Sequence, residues 1–372
     1  MTDFYVIAGE PSADKLGAPI IQALLKKSCL QIAGVAGPRL RELGVKGAAC
    51  MEDLQVMGFS AVVASLPRLI KIFYRIRNEI LRLNPKAVLL IDYPGFNLRL
   101  ERSLRKCGYR GKLIHAVAPT VWAWGKGRIP MMAKNLDLLL TLFPFEKECF
   151  ADTPLAVSYI GHPLTSQIER HIPSPIFHET YGFKPKDPLL ALFPGSRKSA
   201  IERNLPLQIK AARLLQERIP NLAVAVSLSH PERRALIRLL APEVPLIEPF
   251  HTYDLMRSTR LALATSGTIT LELALFGVPT AVNYSLGSFD CFLAQKVFRI
   301  NLPYYCIVNI LAKREIFPEL IGPNLSAWAL AEKAEMLWDS REKCIEGCED
   351  VRLLLGDFDA AGCAAEEILA CL

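Results

Sequence analysis

Ala87-Val88-Leu89-Leu90-Ile91-Asp92-Tyr93-Pro94-Gly95-Phe96-Asn97 sets the pattern for the whole chain: an apolar run without polar alternation, stopped by a carboxylate and a Pro-Gly loop. Continuous Val, Leu and Ile suit a strand covered on both faces, as in parallel sheets. Similar runs recur at Phe4–Ala8, Gln31–Val35, Lys112–Val117 and Leu138–Leu142, with helical spacing between them, as in Leu66–Leu83. This is βαβ punctuation. A Pro-rich stretch, residues 173–188, interrupts the regularity, and a second series follows at Leu189–Phe193, Leu222–Leu228, Leu261–Thr265 and Thr280–Asn283. The expected fold is α/β, two Rossmann-like doubly wound domains facing a cleft, with residues 173–188 as linker. Residues 325–372 show no strand pattern and are expected to form a helical C-terminal tail. No short internal repeat is visible.

The chain has 372 residues, enough for two domains. Hydrophobic residues make up 51% and charged ones 22%, which excludes a disordered chain. Mean hydropathy is +0.24. The longest stretch free of charge, Leu273–Phe289, contains Gly277, Pro279 and Asn283 and is no membrane-spanning helix. A net charge of +7 favours anionic partners: nucleic acid, phosphorylated ligands or acidic lipid. Residues 1–8 lack the basic region and cleavage site of a secretory signal, so a cytoplasmic location is expected. The ten cysteines, such as Cys29, Cys107 and Cys306, are expected to be reduced buried thiols, and Cys344 with Cys348 lacks a second pair for zinc.

Ligands of open α/β sheets bind beyond the carboxyl ends of the strands, so those loops are the place to look for chemistry. The first is Gly9-Glu10-Pro11-Ser12-Ala13-Asp14, which offers a turn, capping groups and a helix N-terminus, but no G-x-G-x-x-G dinucleotide fingerprint. In the loop after Ile91, Asp92 is the leading candidate for a catalytic base, because an isolated carboxylate at the end of an apolar strand is costly. The competing role is a cap on the turn through backbone amides. Trp122 and Trp124, followed by Lys126 and Arg128, fit either a sugar or acyl platform or core aromatics. In the second half, Pro194-Gly195-Ser196-Arg197-Lys198 combines backbone approach with fixed positive charge, and Ser266-Gly267-Thr268 leads a helix on which Glu272 lies about one turn in. Each loop alone fits a helix cap, and both at matching places of one sheet point to a nucleotide diphosphate.

One helix stands apart. Val62, Leu66, Leu69, Phe73 and Ile76 form an apolar stripe opposite Arg68, Lys71 and Arg75. It is either a core-facing helix or, with Met57, Phe59, Arg77, Arg82, Arg99, Arg102, Arg105 and Lys106 nearby in sequence, a basic amphipathic surface for an anionic membrane.

Taken together, residues 9–14, Val35-Ala36-Gly37-Pro38-Arg39, Met57-Gly58, residues 91–97, Pro119-Thr120-Val121-Trp122-Ala123-Trp124, Phe143-Pro144-Phe145-Glu146-Lys147, Gly161-His162-Pro163, Pro194-Gly195-Ser196-Arg197 and Ser266-Gly267-Thr268 resemble, in order, the motifs of the lipid A disaccharide synthase family. The resemblance implies a GT-B glycosyltransferase with an acceptor- and membrane-facing domain at 1–172 and a UDP-sugar-binding domain at 189–324. Residues 325–372 would pack back on the N-terminal domain or swap in a homodimer. It further implies transfer of 2,3-diacylglucosamine from UDP-2,3-diacylglucosamine to 2,3-diacylglucosamine 1-phosphate (lipid X), with inversion and without metal or cofactor, at the cytoplasmic face of the inner membrane, and no nucleic acid as partner. By the same resemblance Asp92 is the base, Gly9, Glu10, Ser12, Asp14, Trp122 and Trp124 contact substrate, and Gly195, Ser196, Arg197, Ser266, Gly267, Thr268, Glu272 and Asn309 hold the nucleotide. Gly95 stands where many relatives carry a second Asp, and Ala13 where glycine is usual. Other readings are a UDP-GlcNAc 2-epimerase, a peptidoglycan GlcNAc transferase, or a non-catalytic membrane-associated UDP-sugar sensor.

Overall fold

The computed structural model describes residues 2–54, 59–123, 125–285 and 302–372. Met57 and Trp124 lie outside the described residues, as do the side chains of Phe59 and Val62. The chain divides into two units, Met1–Pro163 with Asp357–Leu372, and Leu164–Gly356.

The first unit is a parallel six-stranded sheet of β1 (Phe4–Ala8), β2 (Ile32–Val35), β3 (Ala87–Ile91), β4 (Lys112–Ala116), β5 (Leu138–Thr141) and β6 (Ala156–Tyr159), in the order β2-β1-β3-β4-β5-β6. Its helices are α1 (Pro11–Lys27), α2 (Pro38–Glu42), α3 (Met51–Leu54), α4 (Phe59–Leu83), α5 (Pro94–Lys106) and α6 (Ile129–Asn135). Side-chain alternation splits the strands between two cores. Tyr5, Ile7, Val88, Leu90 and Leu113 meet Ile72, Ile76 and Ile80 of α4. Phe4, Val6, Leu89, Ile91 and Ile114 meet Ile20, Ile21 and Leu24 of α1. That second face is completed by Ala364, Ala365 and Ile368 of the closing helix, Ala360–Cys371.

The second unit repeats the plan with β7 (Leu189–Phe193), β8 (Ala223–Ser227), β9 (Leu246–Ile247), β10 (Leu261–Thr265), β11 (Thr280–Tyr284) and β12 (Glu319–Ile321), all parallel, in the order β12-β11-β10-β7-β8-β9. Read from β9, this is the order of a dinucleotide-binding Rossmann sheet. Its helices include α7 (Pro163–Glu169), α8 (Phe177–Tyr181), α9 (Lys198–Arg218), α10 (Arg234–Leu240), α11 (Thr252–Ser258) and α12 (Thr268–Leu275), followed by Ile307–Ala312, Ala327–Asp339 and Arg341–Leu355.

Three expectations change. The Pro-rich stretch at 173–188 is no free linker: the Ser174 amide and the His171 ring both bond the Asp254 carboxylate, at 2.8 Å and 3.0 Å, and Phe177 is buried in the second core. Residues 325–372 form the expected helical tail, but it is divided: Ala327–Asp339 and Arg341–Leu355 belong to the second unit and only the last helix packs with the first. Among the cysteines, Cys29 and Cys107 are exposed while Cys306, Cys344 and Cys348 are buried, and all those described are free thiols.

Candidate functional site

In the first sheet the strand order reverses between β1 and β3, so the loops after these two strands flank the crevice that such reversals open. Asp92 and Tyr93 form the β3 loop, both in the left-handed region, with φ of 49° and 48°. Two successive non-glycine residues there cost roughly 1–3 kcal/mol each and persist only if held from outside. The Asp92 amide donates to Ala116 O at 2.8 Å, and Asn97 Nδ2 donates to Asp92 O at 2.7 Å and Ile91 O at 3.3 Å. The turn is thereby fixed through its backbone, and the half-buried Asp92 carboxylate is not consumed as its cap. From the β1 side, a side chain at Gly9 would meet the Tyr93 ring at 2.7 Å, so the two loops touch. Burial and then the Asp92 charge hold the Glu10 carboxyl above the ordinary carboxylate range. Gly9, Glu10, Asp92 and Tyr93 thus form one cluster.

In the second sheet the reversal lies between β7 and β10. The β7 loop turns at Gly195, φ 100°, where a side chain would meet Ala200 Cβ at 3.3 Å and lie 3.8 Å from Thr265, the last residue of β10. This joins Pro194-Gly195-Ser196-Arg197 to Ser266-Gly267-Thr268 at the N-terminus of α12. Ser196, Arg197, Gly267 and Thr268 are exposed and Ser266 half-buried. Arg197 is the exposed N-cap residue of α9 and makes no side-chain cap bond, and Glu272 lies one turn into α12. Amide donors, hydroxyls and a fixed cation beside two helix N-termini are the equipment for a diphosphate.

A sequence profile of the family described as lipid-A-disaccharide synthetase matches residues 4–366. The chain belongs to that family. A lipid-A-disaccharide synthase of Rhodospirillum centenum is 35% identical over 376 residues, covering 98% of this chain and 93% of the relative. One of Chlamydia caviae is 39% identical over 328 residues, covering 86% of this chain but 51% of the relative, so the chain spans about half the length of such chlamydial relatives. In fold, the UDP-GlcNAc 2-epimerase of Neisseria meningitidis bound to UDP-GlcNAc matches with TM-score 0.62, 15% identity and coverage of 100% and 99%. A trehalose-6-phosphate synthase, OtsA, matches at 0.55 with 14% identity, covering 99% of this chain and 98% of the other. The fold is GT-B.

For this member of the lipid-A-disaccharide synthetase family, several residues expected at the site make structural bonds. Asp14 is buried, its two oxygens accepting the Arg39 and Leu40 amides at 3.0 Å and 3.1 Å, which caps α2. Gly37 makes room, since a side chain there would lie 2.4 Å from Asp14 Cγ. That explains the Val35–Arg39 motif without a ligand. Asn309 is fully buried and spends its whole amide: Nδ2 on Phe317 O and Glu319 Oε1, both at 2.7 Å, and Oδ1 on the Ile316 and Phe317 amides. Ser12 stays exposed in the first turn of α1. Trp122 packs edge-on against Phe145, centroids 5.5 Å apart, and its buried Nε1 bonds nothing within the described residues. Beside it, Glu146 takes the Leu142 and Phe143 amides at 3.2 Å and 3.1 Å, and burial still pushes its carboxyl up to about 7. Burial takes His162 down to about 4.

The stripe assigned to a membrane also divides. Ile76 is fully buried, and Leu69 and Phe73 pack against the same core. Outward instead lie Leu66, Ile70 and Tyr74, at 51%, 46% and 48% exposure and one turn apart. Lys71 is exposed beside them, Arg77 lies 4.7 Å over the Tyr74 ring, and Arg68 and Arg75 share Asp53 at 3.4 Å and 3.7 Å. No described helix is long and apolar enough to cross a membrane.

Residue reasoning missed a polar chain beneath the second site. Asn283 Nδ2 donates to Asn204 Oδ1 at 2.9 Å, and Gln208 Nε2 donates to Asn283 Oδ1 at 2.8 Å and Phe193 O at 3.3 Å. It ties α9 to the ends of β7 and β11. The signal was available in the sequence, amides four apart inside an otherwise apolar helix face.

Proposed function

We propose that the chain is an inverting glycosyltransferase that moves 2,3-diacylglucosamine from its UDP donor onto the 6-hydroxyl of 2,3-diacylglucosamine 1-phosphate. Asp92 takes the hydroxyl proton, the oxygen attacks the anomeric carbon, and the bond to UDP breaks as the β-1,6 bond forms. Arg197 and the amides at the start of α12 receive the charge that develops on UDP. The observation that carries this reading is the Asp92–Tyr93 turn: a half-buried carboxylate at the topological reversal, held by its backbone so that its oxygens are left for chemistry. Family membership supports the substrate assignment. Leu66, Ile70 and Tyr74, with the cations around them, form a peripheral docking face for the anionic cytoplasmic surface of the inner membrane, where both acylated substrates reside.

A product assay with acylated UDP-glucosamine and its 1-phosphate acceptor tests the reading. Asp92→Asn should lower kcat by about 100-fold or more while UDP affinity stays within error, since one general base contributes at least that much. Equal disaccharide from variant and wild type would reject Asp92 as base. UDP binding without disaccharide from wild type would favour the sensor.

A further inference from the structure

Glu101 of α5 and His115 of β4 are both fully buried, with Glu101 Oε2 3.6 Å from His115 Nδ1. Neither carboxylate oxygen and neither ring nitrogen has a hydrogen-bond partner among the described residues. A buried acid–imidazole pair is poor material for stability, because desolvation of the two groups offsets most of their attraction and an apolar pair of similar volume is often as stable. Burial raises the Glu101 carboxyl above its ordinary range and the His115 ring opposes this. The place of the pair is more informative than its energy. His115 immediately precedes Ala116, whose carbonyl holds the Asp92 amide at 2.8 Å. Glu101 lies one turn beyond Asn97, whose amide holds the Asp92 carbonyl, and both face the sheet from α5. α5 and β4 are therefore joined at two levels, first through the Asp92 backbone and then, one helical turn deeper, through Glu101 and His115.

We propose that Glu101 and His115 are a positioning pair for Asp92: their contact sets the distance between α5 and β4, and with it the placement of the strained turn that carries the base. The proposal rests on the reading of Asp92 as the base. Displacement of a reacting group by about 1 Å costs up to roughly 100-fold in rate.

The experiment uses Glu101→Asp, which keeps the charge but withdraws the carboxyl by one methylene, and Glu101→Gln, which keeps its length. Glu101→Asp should lower kcat about 10-fold or more with both KM values unchanged and UDP affinity intact, and Glu101→Gln should stay within about 3-fold of wild type. A paired apolar replacement, Glu101→Leu with His115→Leu, should melt no lower than wild type and be slower still. If Glu101→Asp, or the folded apolar pair, turns over at the wild-type rate, the pair does not position the base. Should wild type itself form no disaccharide, the reading of Asp92 falls first and takes the proposal with it, a result distinct from active enzyme with indifferent variants.

Discussion

Glu146 and His162 titrate in opposite senses on the same edge of the first sheet. Glu146 has a folded value near 7 against 4.5, so its contribution to stability is complete below pH 4.5 and lost as pH rises through 7. His162 has a folded value near 4 against 6.5, so its contribution is complete above pH 6.5 and lost as pH falls through 4. Each is worth about 3 kcal/mol at the limit, and between pH 4.5 and 6.5 they nearly cancel. Glu146→Gln removes the falling arm. Its urea stability relative to wild type should therefore climb by about 3 kcal/mol from pH 4.5 to pH 8, and a constant difference across that range would contradict the assignment. Gly95 poses a simpler test. It is exposed in the first turn of α5, and a side chain there would meet nothing within 4 Å. Gly95→Asp should raise stability by about 1 kcal/mol, through backbone entropy and a favourable place at a helix N-terminus, as read by thermal unfolding.

At the scale of elements, α4 shows what a sequence can and cannot say. Its 3.6-residue period marked a helix, but two apolar stripes run along it, Ile72-Ile76-Ile80 inward and Leu66-Ile70-Tyr74 outward. Periodicity alone does not say which stripe meets the sheet, so the chosen stripe mixed exposed Leu66 with buried Ile76. Leu66→Glu with Ile70→Glu should weaken binding to phosphatidylglycerol vesicles several-fold without lowering Tm, whereas Ile76→Glu should unfold the first unit. Undiminished vesicle binding by the first variant would remove the docking face. Strands covered on both faces, β1, β3, β7 and β10, were legible to the residue because nothing polar interrupts them. The edge strands β6, β9 and β12 were not, being short and, for β6, without a fully buried residue. The places of Asp92, Gly195 and Arg197 in the loops after β3 and β7 were legible because strand ends locate them, and their roles are proposals. The structural work of Asp14 and Asn309 was not legible for the converse reason: a capping carboxylate and a buried amide look like ligands until the backbone they serve is in place.

Across the whole molecule, the return of Ala360–Cys371 to the first unit matters more than any surface contact. Ala364, Ala365 and Ile368 cover Ile20, Ile21 and Leu24, and Ile368 alone buries the equivalent of about 2–3 kcal/mol. The exposed Lys27–Glu366 pair adds little. A chain ending at Gly356 should lose the first unit's melting transition by several degrees or altogether and keep the second's, and calorimetry showing both transitions unchanged would refute this.

That topology also sets a timetable for synthesis. The first unit's strands and helices leave the ribosome early, but their apolar groove on α1 gains its cover only after residues 164–356 have been translated. At about 5–20 residues per second this is a wait on the order of 10–40 s. During it the side of this core that Ala364, Ala365 and Ile368 will cover is open on a nascent chain, so the part of the protein that carries the proposed base depends longest on whatever shields unfinished chains in the cell.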